Sequence, residues 1–278
     1  MHFSLKPVKM IKRTGILLLC ITLVVLGWVG ILKGQPPSPF ARKALRVMTY
    51  NIHVGMGMDQ KLDLERIAGV INRERVDLVG LQEVDRGVRR TQGIDEIVEL
   101  SKLTGMNYAF GHNLDFQGGQ YGIGILSRLP IRNTEHRKFE NRRETERRGM
   151  LRVEVELGGR LINFVTTHLD YQFPDGRLFE AQQLLRAVGD VKGVLIVTGD
   201  FNDEPAGEAY KLLLTKFEDA WVGSKVKQSG FSYPADELAK RIDYIFYRPA
   251  DGVRARKAWT VRSLASDHLP VVAELEMR

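Results

Sequence analysis

Cysteine is almost missing from this chain. Cys20 is the only one among 278 residues, so no intrachain disulfide is possible and a folded domain has to rest on its hydrophobic core. Several short signatures are missing too. There is no H-E-x-x-H and no Cys cluster, which excludes a protease-type or structural zinc site. There is no G-x-S-x-G elbow and no phosphate-cradling P-loop. The glycines of YGIGILS, Tyr121 to Ser127, read G-x-x-G-x-G, which is not the dinucleotide fingerprint. Beyond residue 40 no repeat, low-complexity tract or second linker occurs, so the remainder reads as one domain.

What is present is an ordinary globular composition, 44% hydrophobic and 27% charged, with a formal charge of +7. A basic balance suits anionic partners such as nucleic acid, phospholipid headgroups or phosphorylated small molecules; it also serves plain solubility.

The first residues are built differently. A basic tail, residues 1–14 with Lys6, Lys9, Lys12 and Arg13, precedes an uncharged run from Gly15 to Leu32. That length is at the lower edge of a bilayer-spanning helix, and Trp28 sits near its far end. A membrane anchor is the favoured reading, with a cleaved signal peptide and secretion as the alternative. Lys/Arg counts on the two sides nearly tie, and the short basic tail favours a domain held outside the cytoplasm. Residues 33–44, including Gln35-Pro36-Pro37-Ser38-Pro39, read as a stiff linker to a domain over 45–278.

Within that domain, strands are expected at Leu45 to Asn51, Val76 to Glu83, Tyr121 to Ser127, the pair GMLRVEVEL and RLINFVTTH joined at Gly158-Gly159, Val194 to Asp200, RIDYIFY and PVVAELEM. Helices are expected after Asp63, over Ile94 to Leu103 ending at Gly105, around Leu178 to Val188, and from Pro205 to about Leu214. Interspersed strands and helices suggest two packed sheets with helices on their outer faces.

Apolar strands repeatedly end in a residue able to bind a cation or move a proton: Asn51, Glu83, His168 and Asp200, with Asn202 two residues on. Asp243 lies within RIDYIFY, and Asp267-His268 precedes the last strand. Singly, these have ordinary explanations as turn formers or solvated strand ends. A carboxylate inside an apolar strand is harder to dismiss, because burial demands a partner. Together they would give a cleft of hard oxygen donors and imidazoles, suited to Mg²⁺ or Mn²⁺. NRRETERRG, Asn141 to Gly149, adds four arginines. The segment reads either as a solvated loop before a strand or as a phosphate-binding edge; for the second, Arg148 is the best candidate, since the partner of its strand ends at His168.

The stretches TYNIH, LQEVD, YGIGILSRLPI, TTHLD, GDFND, RIDYIF and SDHLPV resemble, in order, the endonuclease/exonuclease/phosphatase (DNase I-like) superfamily, in its membrane-anchored bacterial form. The resemblance implies a four-layer α/β/β/α sandwich preceded here by one apolar helix, and metal-dependent hydrolysis of a phosphate ester or diester. It implies that Glu83 is the principal metal carboxylate, with Asn51 beside it and Asp267 at or near a metal. Asp200 would orient or deprotonate the attacking water, and Asn202 would hold the phosphate. His268, oriented by Asp243, would contact the phosphate, and His168 would steady it or assist the leaving group. The substrate stays open between nucleic acid and a phospholipid or its headgroup, with a non-catalytic tethered binding module as the third reading.

Overall fold

The computed structural model describes residues 44–277 together with Met1, His2 and Ser4. The expected anchor at 15–32 and nearly all of the linker lie outside the described residues. Among the described residues, no helix is long and apolar enough to cross a membrane.

Two six-stranded mixed sheets form the domain. The first contains β1 (Ala44–Asn51), β2 (Leu78–Arg86), β3 (Asn107–Phe116), β4 (Gly119–Ser127), β11 (Val253–Thr260) and β12 (Val271–Met277), in the order β11-β12-β1-β2-β4-β3. The second contains β5 (Asn133–Lys138), β6 (Gly149–Leu157), β7 (Arg160–His168), β8 (Val194–Asp200), β9 (Glu218–Asp219) and β10 (Asp243–Tyr247), in the order β5-β6-β7-β8-β10-β9.

Both sheets share one plan: a central parallel pair, β1–β2 or β7–β8, with antiparallel neighbours on either side. Each parallel pair is joined by a helix, as a crossover requires. These are α1 (Leu64–Glu74) and α3 (Pro174–Val188).

Helix boundaries follow from local chemistry. Asp63 caps α1 by accepting a hydrogen bond from the Arg66 N–H at 3.0 Å. Asp95 caps α2 (Glu96–Thr104), and Gly105, at φ 66°, ends it in the left-handed conformation expected of a C-terminal glycine. The helix expected from Pro205 begins instead at Glu208, as α4 (Glu208–Leu213). Residues 204–207 form a turn closed by Gly207 N–H to Glu204 C=O, and Asp203 accepts from the Tyr210 N–H inside the helix.

Three apolar clusters fill the layers. Leu151, Phe164, Ile245 and Leu275 belong to the core between the sheets. Ile67, Ile71, Ile97 and Leu100 pack α1 and α2 on the first sheet. Ala181, Leu184 and Leu213 pack α3 and α4 on the second. Helices therefore cover the outer face of each sheet, giving four layers. A polar seam crosses the central core: Thr49 donates to Gln82, and the Gln82 amide donates to Thr166 Oγ1 at 2.8 Å. Beside it, any Cβ on Gly80 would collide with the Thr166 and Thr198 side chains of the opposite sheet, which fill the space over this glycine.

Among the described residues twelve strands stand where about eight or nine were expected. The additional ones, β3, β5, β9 and β11, are the outermost strands of the two sheets.

Candidate active site

Strand direction assembles the site. β1 and β2 run parallel, as do β7 and β8, so their carboxyl ends lie side by side. Asn51 ends β1, His168 ends β7 and Asp200 ends β8, with His168 and Asp200 in register. Asp243 opens β10 directly opposite Asp200. The loop before β12 brings in Asp267 and His268. The Asn51 amide joins the two sheets: Nδ2 donates to Glu83 Oε1 at 2.9 Å and to Asp200 Oδ2 at 3.1 Å.

Glu83 is aimed by a bulge. From Leu81 to Val84, three steps of β2 oppose the two from Gly124 to Gly122 on β4, and Glu83 takes φ 56°. A non-glycine residue in the left-handed region costs about 1 kcal/mol or more. The bulge brings its carboxylate to the cleft lining. Asn202 is also left-handed, at φ 49°. Its backbone N–H donates to Asp200 Oδ1, closing a tight Asx turn, while its Nδ2 donates to Leu169 C=O at 3.0 Å.

That carbonyl fixes which end of the Asn202 amide is the donor. The same Nδ2 lies 3.0 Å from His168 Nε2, so this ring nitrogen accepts and the proton is assigned to Nδ1. Burial, with the cations of Arg148 and His268 nearby, holds the His168 pKa well below its usual value. His168 is therefore a neutral imidazole.

His268 is the opposite case. Its Nδ1 donates to Asp243 Oδ2 at 2.9 Å, and the Ser232 hydroxyl donates to the same oxygen at 2.6 Å. Its Nε2 lies 3.7 Å from Asp200 Oδ2. Burial disfavours the charged ring, but Asp243 and Asp200 outweigh it and raise its pKa to about 10. Burial and the facing Asp243 push the Asp200 carboxyl up to about 7, against the favourable His268 charge. Tyr233 packs over the His268 ring, with centroids 4.7 Å apart.

Two places could attract a cation. Asp200, Asp243 and His268 bring ligand atoms within 4.8 Å of one another. Their own hydrogen bonds already engage them, with the ring proton between His268 and Asp243, so this trio is better suited to holding protons. Glu83 and Asp267 instead line the open cleft, with the Asn51 amide alongside Glu83, and they offer hard oxygens. That donor set fits a Mg²⁺-like ion.

All eight residues expected in the catalytic constellation are thus brought together, and Arg148 also lines the cleft of about 1040 Å³. The other three arginines of its loop do not reach that cleft lining. Arg142 lies over Phe179, Arg143 pairs with Asp175 over Phe173, and Arg147 donates to Phe139 C=O. Just after His168, Tyr171 is exposed at the cleft, whereas Phe173 lies beneath Arg143. Ser232, Tyr233, Arg90 and Glu146 were not anticipated. Arg90 sits in a short 3₁₀ turn, Arg89–Thr91, and the other three on irregular segments, where no periodicity marks them.

Comparison with known proteins agrees with this geometry. The model describing the Endonuclease/Exonuclease/phosphatase family matches residues 48–268. A protein of Caenorhabditis elegans provisionally named a neutral sphingomyelinase is 28% identical over 65% of this chain and 46% of its own length. A Drosophila melanogaster protein with the same provisional name is 23% identical over 77% of this chain and 54% of its own. The chain thus spans about half the length of these curated relatives. Among solved structures, the human Nocturnin catalytic domain with bound sulfate superposes with a TM-score of 0.67 at 21% identity, covering 85% of this chain and 96% of that one. A Bacteroides thetaiotaomicron mannosyl-6-phosphatase does so at 0.68 and 16%, covering 83% and 99%.

Proposed function

The chain belongs to the endonuclease/exonuclease/phosphatase family, and from that premise we propose that it hydrolyses a phosphodiester with an activated water and a divalent cation. The observation that carries this reading is the Asn51 amide, which ties the Glu83 carboxylate of one sheet to the Asp200 carboxylate of the other. The two sides of that link are suited to different tasks.

Glu83 and Asp267 would hold Mg²⁺ or Mn²⁺, while Asn51, expected beside the metal, would orient the Glu83 carboxylate, since its Nδ2 donates to Glu83 and its Oδ1 accepts from the His53 N–H. When bound, the ion would neutralise charge on the phosphoryl oxygens. Asp200 is poised to take the proton of the attacking water: its raised pKa gives the carboxylate useful basicity near neutrality. His268, kept cationic by Asp243, faces the developing negative charge of the phosphoryl group. The Asn202 amide, both of whose hydrogens are engaged, holds neutral His168, which would steady the phosphate or assist the leaving oxygen by a hydrogen bond.

The names of the two curated relatives favour a lipid-headgroup diester as substrate, and exposed Tyr171 at the cleft is compatible with a lipid. Nucleic acid is the second reading; the formal charge of +7 does not favour it at the cleft, since residues 1–43 carry seven Lys/Arg and no Asp/Glu and the rest of the chain balances. A tether through residues 15–32 would hold the domain at a membrane and favour the first.

Hydrolysis of sphingomyelin, phosphatidyl lipids, plasmid DNA, RNA and bis-p-nitrophenyl phosphate, each with and without EDTA, tests the reading. Metal-dependent release of a lipid headgroup is expected. Nicking of DNA with no lipid turnover would transfer the assignment to nucleic acid, and no hydrolysis of any ester would remove it.

A further inference from the structure

Arg148 is only 2% exposed, and its guanidinium lines the cleft beside His168. Its Nη1 lies 2.8 Å from Glu146 Oε1, yet neither atom makes a hydrogen bond, and Nε is unpartnered as well. The two charges are close but misdirected. A buried guanidinium cannot shed its charge, so a poorly formed partnership leaves it short of acceptors.

The two partners differ in freedom. Arg148 directly precedes β6, its carbonyl accepts from the Phe139 N–H, and the next residue pairs with His168. Glu146 stands on the irregular segment between β5 and β6, with a side chain 30% exposed at the cleft wall. The cation is fixed, whereas the carboxylate, which also meets the Tyr121 hydroxyl, stands on an irregular segment.

We propose that Glu146 is a placeholder: its carboxylate neutralises Arg148 in the free protein and is displaced when a tetrahedral oxyanion enters the cleft. A phosphoryl group can satisfy the guanidinium fork with two parallel hydrogen bonds, which the misaligned carboxylate does not. The planar fork is already desolvated and held, so the exchange costs little ordering at Arg148. Glu146 thereby sets the threshold an anion must exceed. The identity of that anion as the substrate's phosphate rests on the phosphodiesterase reading; the displacement itself does not require turnover.

The test is titration of the full chain with inorganic phosphate at constant ionic strength, followed by calorimetry and thermal unfolding. It compares the wild type with Glu146→Gln, Glu146→Asp, Arg148→Gln and the Glu146→Gln/Arg148→Gln double variant. Glu146→Gln is expected to bind phosphate roughly tenfold more tightly than the wild type, since a charge-assisted contact no longer competes. It should melt lower without phosphate, because Arg148 is left unpaired, and gain more on adding phosphate. In the Arg148→Gln background the same change should alter affinity less than about twofold, by the logic of a double-mutant cycle.

Glu146→Asp, whose shorter side chain draws back from Arg148, should give an intermediate gain and serves if the Gln variant does not fold. Phosphate binding by the Glu146 variants that is unchanged or weaker would overturn the proposal and make Glu146 a support for Arg148. An equal gain without Arg148 would overturn it too. With bis-p-nitrophenyl phosphate, KM should fall in the same order as the phosphate dissociation constant. A wild type that hydrolyses no ester, with variants that still gain phosphate affinity, would sink the phosphodiesterase reading and leave the placeholder standing.

Discussion

Asp200 and Asp243 face each other across adjacent antiparallel strands, and one imidazole, His268, lies within 3.7 Å of the first and 2.9 Å of the second. Like charges directly opposed on a sheet are destabilising. The fold tolerates them because the ring between them is positive, and that arrangement leaves Asp200 reluctant to ionise.

Asp200→Asn therefore should stabilise the protein while disabling it. Turnover is expected to fall at least about a hundredfold, the usual size of a lost general base. The Asp200 pKa is raised on folding from 3.8 to about 7. Its contribution to stability is fully present below the unfolded value and is lost as pH rises through about 7. The variant should melt above the wild type at pH 8 in EDTA, with the difference closing below pH 4. Thermal unfolding at the two pH values checks this, and a variant less stable at pH 8 would contradict it.

Glu83 can be tested separately for its carboxylate and its backbone. Glu83→Gln should raise the Mg²⁺ concentration needed for half-maximal activity at least about tenfold, since a charged ligand is replaced by a neutral one. At φ 56° a glycine has no Cβ penalty. Glu83→Gly should thus be about 1 kcal/mol more stable than Glu83→Ala, reversing the order normal within a strand. Denaturant midpoints with equal slopes decide the matter.

Activity should follow a bell-shaped pH profile. On the acid side it declines as Asp200 takes up a proton, with a limb at about 7 that a bound cation moves lower. On the alkaline side it declines as His268 loses its charge near pH 10. His168 is neutral across this range. His168→Gln should lower the plateau and leave both limbs in place. A limb displaced by about a unit in this variant would show that His168 titrates in catalysis.

How much of this was legible in the sequence depended on position. Interior strands such as VLIVTGD are covered on both sides and declare themselves as apolar runs. The four strands that were not anticipated are the sheet edges. NTEHRK of β5 is exposed or half-buried throughout, and VRARKAWT of β11 alternates with charge. Edges carry such residues to discourage pairing with other chains, and the same residues make them look like loops. The site divides in the same way. Asn51, Glu83, His168 and Asp200 follow apolar strands and stand out by contrast. Ser232 and Tyr233 come from an irregular segment that only the folded chain brings to His268, and Glu146, although two residues from Arg148, carries no periodicity that marks its side chain as facing the same cleft.

Gly80 carries a consequence of its own. The catalytic groups are divided between two slabs, and their separation is gauged by the missing side chain at this one position. A single methyl there, as in Gly80→Ala, would meet Thr166 and Thr198, two residues before His168 and Asp200, and act as a wedge just beneath the reacting centre. It would open the distance that the Asn51 amide bridges to Asp200 and loosen the Gln82–Thr166 seam. Turnover should fall more steeply than stability, although no catalytic atom has been touched: the active site is machined by the thickness of the core beneath it.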